Sequence, residues 1–126
     1  MSLTNTFETT VLTWLLTTGS ATRPTTWYVA LFTDDPGESG AGTEISGGSY
    51  ARTAVTFTVT GDTASNSGAV EFPAASTSWG TITHIGVMDA ATSGNMIVYA
   101  ALTASKTIAS GDVFRIPAGD LDITLN

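Results

Sequence analysis

The sequence has no cysteine, one histidine and only four basic residues in 126 positions. Without thiols there can be no disulfide framework, no zinc finger and no thiol nucleophile. His84 alone makes a catalytic triad or a His-rich metal site hard to build. Arg23, Arg52, Lys106 and Arg115 are scattered, leave no basic stripe for phosphates, and argue against a nucleic-acid partner. Charged side chains make up 12% of the chain, about half the usual share. Acids outnumber bases 11 to 4, for a formal charge of −7. No apolar window is long enough to span a bilayer, so no membrane insertion is expected. The start, Met1 to Glu8, has neither basic residues nor a continuous apolar run and does not read as a secretory signal. The length suits one domain with its own core, spanning residues 1–126.

In place of charge the chain carries 24 Thr, 12 Ser and 13 Gly. Residues 3–16 are the one segment with helical periodicity. Leu3, Phe7, Val11 and Leu15 recur every fourth position, and Leu12 and Trp14 widen the stripe. Asn5 and Glu8 have capping-box spacing, with Ser2 and Thr4 as alternative caps, and Gly19 is a suitable stop. Five threonines weaken the intrinsic propensity, so this helix needs a surface to pack on.

The rest reads as strands and turns. Residues 27–33 form an aromatic and β-branched run expected to be a buried strand. Asp34-Asp35-Pro36-Gly37 is a turn signature that opens a Gly- and Ser-rich loop reaching Gly48. Residues 50–60 alternate, with Val55, Phe57 and Val59 on one face and Thr56, Thr58 and Thr60 on the other. Shorter strands are expected at 69–72, 82–88, 96–102, 106–108, 113–116 and 121–125. Seven or eight short strands with turns between them predict an all-β fold. The expectation is a single antiparallel β-sandwich or jelly-roll-like domain over 27–125, with one N-terminal helix over 3–16.

Few residues suggest chemistry. Asp34, Asp35, Glu38 and Glu44 could line a calcium loop, but their spacing matches no EF-hand and solvated turn residues are the simpler reading. Glycosidase chemistry needs a carboxylate pair in a cleft, and no acid here has an aromatic-lined context. His84 lies on a strand, facing inward if Ile82 does and outward if Ile85 and Val87 face in. The Gly-rich loop lacks a phosphate-binding pattern and no helix follows it. Trp79, between Ser78 and Gly80, is the one aromatic expected to be exposed, as a contact for a glycan or a subunit.

The order of segments resembles a known family. Trp27-Tyr28-Val29-Ala30-Leu31-Phe32-Thr33 with Asp35-Pro36 is followed by Gly42-Thr43-Glu44-Ile45-Ser46-Gly47-Gly48-Ser49-Tyr50-Ala51-Arg52. Phe72-Pro73, then Trp79-Gly80-Thr81-Ile82-Thr83-His84-Ile85-Gly86-Val87, Asp89 to Asn95 and Pro117-Ala118-Gly119-Asp120-Leu121 complete it. Together with the helix ending Trp14-Leu15-Leu16, this series resembles small bacteriophage tail fibre proteins over nearly the whole chain. The resemblance implies a virion structural protein, assembled in the host cytoplasm, with no enzymatic role, no cofactor and no catalytic residue to assign. It implies that Arg52 pairs with a carboxylate such as Glu44. The expected partners are other copies of the chain, with a trimer as the expected order, other phage structural proteins, and a host-surface glycan or receptor. Leu3, Phe7, Val11, Trp14 and Leu15 form the candidate assembly helix; Asp34, Asp35, Glu38, Glu44 and Trp79 mark the candidate contact loops. A tail fibre or tail-tip module is the leading role, a capsid decoration (cement) protein the second, and a carbohydrate-binding module the third.

Overall fold

A computed structural model of the chain describes residues 1–125. The chain opens with β1 (Ser2–Leu3) and turns at Thr4 into α1 (Asn5–Leu16). Thr4 is the N-cap in an extended conformation, yet its side chain does not cap the helix. Its buried hydroxyl donates instead to the Met96 carbonyl at 2.6 Å, tying the helix start to the body. Asn5 is the first helical residue, so the Asn5–Glu8 box does not form; Glu8 places its charge in the first turn, where the helix dipole favours it. Leu3, expected as the first residue of the helical stripe, lies in β1 and pairs with Val98. Of the stripe, only Phe7 is buried, whereas Val11, Leu12, Trp14, Leu15 and Leu16 are exposed.

Nine further strands follow: β2 (Tyr28–Phe32), β3 (Thr53–Ala54), β4 (Phe57–Thr60), β5 (Thr63–Asn66), β6 (Val70–Glu71), β7 (Gly80–Met88), β8 (Met96–Ile108), β9 (Arg115–Ile116) and β10 (Asp122–Thr124). All pairings are antiparallel. Where seven or eight strands in a sandwich or jelly-roll are expected, ten strands among the described residues form three sheets: five strands in the order β1-β8-β7-β2-β3, three in the order β10-β5-β4, and the pair β6-β9. No helix among the described residues is long and apolar enough to cross a membrane.

Two strand expectations are corrected. Residues 50–60 are not one strand. Thr53 and Ala54 pair with β2, while 57–60 join β5 in another sheet. Val55 is buried at the crossing, and its N–H donates to the Trp27 carbonyl. The alternation predicts faces, but it cannot register a change of sheet between two in-facing residues. Conversely, 96–102 and 106–108 belong to one thirteen-residue strand, β8. Opposite it, β7 has register shifts between Ile82 and His84 and between Val87 and Met88. The first shift lets Ile82 and Ile85, three positions apart, enter the same apolar cluster, so the two alternative phases for this strand are both partly realised.

The large sheet is covered on both faces. Val29 and Leu31 of β2 join Ile85, Val87 and Val98 in the main core, which also holds Val70, Phe72, Phe114 and Ile116. Ala30 and Phe32, alternate residues of β2, meet Met88 and Met96 on the other side. Gly86 makes that second contact possible, because a Cβ there would stand 2.7 Å from the Met96 methyl. Leu31 is fully buried. Leu31→Ala is therefore expected to cost about 3 kcal/mol through lost burial and a residual cavity, against under about 0.5 kcal/mol for Val59→Thr on the exposed face. Urea unfolding followed by tryptophan fluorescence checks both.

Candidate functional site

The loop after β2 is held by its own polar groups. Asp34 accepts hydrogen bonds from the Thr43 N–H at 2.6 Å and the Thr43 hydroxyl at 2.8 Å. These bonds, the backbone one foremost, hold its carboxyl below the usual value. Asp35 accepts from the Gly37 N–H, and the Glu38 carbonyl accepts from the Asn5 N–H. Gly40, at φ +72°, approaches Met96 where a Cβ would stand 3.3 Å away. The loop thus folds back over the Phe32–Met96 face and reaches the helix start.

From there the chain returns along β2. Glu44 bridges to Phe32 and the Ile45 N–H donates to the Leu31 carbonyl, which delivers Glu44 to Arg52. The two form a bidentate pair, with Arg52 Nε to Glu44 Oε2 and Nη2 to Oε1 both at 2.8 Å. Arg52 Nη1 donates to the carbonyls of Ala90 at 2.8 Å and Ser93 at 2.7 Å, in the turn between β7 and β8. The Tyr50 hydroxyl donates to Glu44 Oε2 at 2.6 Å and accepts from the Leu31 N–H. Burial pushes the Glu44 carboxyl up, but the hydrogen bonds from Arg52 and Tyr50 with the Arg52 charge outweigh it and leave it below its usual value. Burial, then the bond to Glu44, raises the Tyr50 phenol. The expected pairing of Arg52 with Glu44 is present, and among the described residues it is the one Arg–carboxylate bridge.

The candidate contact residues do not converge. Asp34, Asp35 and Glu38 are exposed on the turn, Glu44 belongs to the Arg52 clamp, and Trp79 is buried. The exposed platform expected at Trp79 is a correction. Its indole N–H donates to the Gly48 carbonyl at 2.9 Å, and its ring meets Tyr50 edge-on at 5.5 Å. Gly48, at φ +59°, is needed here because a Cβ would meet the indole nitrogen at 2.9 Å. The flanking Ser and Gly suggest a solvated loop; what they do not reveal is a carbonyl waiting for the indole. His84 is half-buried beside the Thr83 hydroxyl, with Nε2 at 3.9 Å from Asp35. No group of three or more His, Asp or Glu side chains suited to a metal is found among the described residues.

Asn66 is a structural residue that its turn-like context, Ser65-Asn66-Ser67-Gly68, conceals. It is buried, donates to the carbonyls of Gly68 and Pro117, and accepts from the Leu121 N–H. The surface is joined by hydroxyl pairs across strands, including Thr81–Thr107 at 3.0 Å, Thr63–Thr124 at 3.1 Å and Thr56–Ser67 at 2.6 Å.

The helix supplies the other notable surface. Phe7 anchors it, and Val11 lines an open apolar hollow of about 510 Å³ together with Leu3, Trp27, Phe57 and Ile123. Trp14 and Val11 border a second hollow against residues 21–24.

Because Glu44 has a lowered carboxyl pKa in the folded chain, its ionised form adds stability above about pH 4.5, its ordinary value. That stability is lost as pH falls through the folded value. Glu44→Gln is expected to cost about 1–3 kcal/mol at neutral pH, since it leaves Arg52 short of its charge partner. It should also flatten the loss of stability between about pH 5 and pH 3. Thermal melts across that range check both effects.

The chain matches the family model described as Podophage GP4 fiber I protein gp80 over residues 2–124. No curated protein matches it. With the β-rich body, the clamped loop and the apolar helix all inside the matched span, the chain belongs to the Podophage GP4 fiber I protein gp80 family of phage fibre proteins.

Proposed function

We propose that this phage fibre protein is a non-catalytic tail fibre or tail-tip module, self-associated in the virion, that takes part in contact with the host surface. The observation that carries the assembly part is the apolar surface of α1. Trp14, Leu15 and Leu16 are each more than 60% exposed, a patch of the kind that marks an interaction site. Other virion proteins and further copies of the chain are the partners that such a surface suits. The exposed acidic turn Asp34, Asp35 and Glu38 is assigned to the host side. Asp34 is held by Thr43 and Asp35 by the Gly37 N–H, so a ligand would meet two carboxylates already oriented.

A carbohydrate-binding module would need an exposed aromatic platform, and the burial of Trp79 removes its best candidate. A cement protein would use the same helix to clamp shell subunits, so the two virion roles separate by location and number. Electron micrographs of particles carrying a labelled chain are expected to show a few copies at the tail; hundreds of copies on the shell would overturn the fibre assignment. Purified protein is expected to compete with particles for adsorption to host cells, and the Asp34→Ala/Asp35→Ala/Glu38→Ala variant to lose most of that competition. Undiminished competition would exclude the acidic turn.

A further inference from the structure

Two adjoining hollows lie where α1 meets residues 20–24 and the β7–β8 turn. The first, of about 530 Å³, has Thr10, Thr22, Arg23, Asp89 and Asn95 in its lining. The second, of about 390 Å³, shares Phe7, Thr10, Arg23 and Pro24 with it and adds Trp14. Trp14 is the one exposed aromatic side chain among the described residues. It follows Thr10 by one helical turn, whereas Leu16, two residues on, points to nearly the opposite side of α1. The cleft and the leucine surface are therefore different sides of the helix. The polar groups of the cleft are held in place without being used up. The Thr26 hydroxyl donates to the Asp89 carbonyl at 3.0 Å, which ties the segment after α1 to the turn. Asp89 Oδ1 accepts from the Asn95 N–H at 2.7 Å, and Oδ2 stays uncommitted. Arg23 and Asn95 are exposed, and Arg23 forms no ion pair among the described residues. Arg52 grips the same turn through the Ala90 and Ser93 carbonyls, so Asp89 and Asn95 are set in position ahead of binding.

We propose that this cleft binds a saccharide of the host surface, with one ring stacked on Trp14 and its hydroxyls on Arg23, Asp89 and Asn95. This rests on the reading of the protein as a host-contact module, and it gives that contact a second place and a ligand class. The chemistry of the lining selects the ligand. A sugar ring has an apolar C–H face and a rim of hydroxyls that both donate and accept. An indole matches the face. The rim is matched by a donor in Arg23, an acceptor in Asp89, and groups that do both in Asn95, Thr10 and Thr22. The formal charge of −7 disfavours a phosphate polymer. An extended peptide is read along a strand edge, and the cleft is walled by a helix, an irregular segment and a turn. The burial of Trp79 leaves its strand end without a platform, and Trp14 supplies one from another part of the chain. A single cleft with one aromatic holds its ligand weakly, and several copies in one virion strengthen the grip by raising the effective concentration of sites.

The test uses the purified chain and two probes from a host strain, lipid-free O-polysaccharide and capsular polysaccharide. One of the two is expected to shift the tryptophan emission to shorter wavelength, because Trp14 is exposed to water while Trp79 is buried; the one that does so identifies the source. Calorimetric titration is expected to show that Trp14→Ala and Arg23→Ala each weaken binding about tenfold. Asn95→Ala should weaken it by a smaller factor, and Leu16→Ala should leave it unchanged. These side chains are exposed, so the circular-dichroism spectrum of each variant should match that of the unaltered protein. No binding of either polysaccharide at about 1 mM repeat unit, or an affinity that survives both Trp14→Ala and Arg23→Ala, would overturn the proposal. If neither polysaccharide binds and the chain still competes for adsorption, the cleft assignment falls and the host-contact reading stands. Cleft binding by a chain that micrographs place on the shell would instead overturn the fibre assignment and leave the saccharide site standing.

Discussion

The long loop and the β7–β8 turn are tied together by one guanidinium. Arg52 spends its donors on both oxygens of Glu44 and on two carbonyls of the β7–β8 turn. A planar fork with several fixed donors can do this, whereas an ammonium would act as a point charge. The result links three segments that are far apart in sequence: the returning arm of the long loop, the approach to β3, and the turn closing the longest hairpin. Tyr50 extends the link to the backbone of β2 through Leu31. Removing one member would leave the others desolvated and unpaired, which is why a single ion pair matters in a chain otherwise so poor in charge.

The scarcity of charge elsewhere is offset by hydroxyls. Thr and Ser meet in pairs across neighbouring strands on exposed faces, as Thr81 does with Thr107 and Thr63 with Thr124. These contacts are neutral, so salt screens them far less than it screens surface ion pairs. They also remove the need for long, entropically expensive Lys and Glu side chains. Among the described residues most of the exposed large apolar side chains lie on α1 and around the hollow beside it, with Val113 exposed elsewhere.

Much of this is legible in the sequence where a residue's role follows from its neighbours along the chain. β2 shows itself as an aromatic and β-branched run because both of its faces are buried. The turn at 34–37 shows itself through Asp and Pro, and α1 through its fourfold spacing. What escapes the sequence depends on partners distant in the chain. Trp79 sits among Ser and Gly, but Gly48 supplies the carbonyl that draws its indole inward. Thr4 stands where a cap is wanted, but Met96 takes its hydroxyl. The 50–60 alternation holds at Val55 and Phe57 but fails at Val59, which is exposed, and the strand is divided because two different sheets claim its halves. The candidate contact residues divide for the same reason: Glu44 and Trp79 are recruited to hold the body together, and only the acidic turn remains free.

The attachment of α1 has a mechanical side. At the start of the helix, load reaches β8 through the two β1 residues, paired with Val98 and Tyr99, and through the Thr4 hydroxyl on Met96. All of these act on the first residues of β8, the strand that runs thirteen residues and, at roughly 3.3 Å each, spans about 40 Å. A pull on the start of the helix is therefore passed into the longest strand of the protein, where its pairing with β7 shares it. The small sheets built from β4, β5 and β10 and from β6 and β9 share no strand pairing with β8, so their backbone ladders are not part of this path.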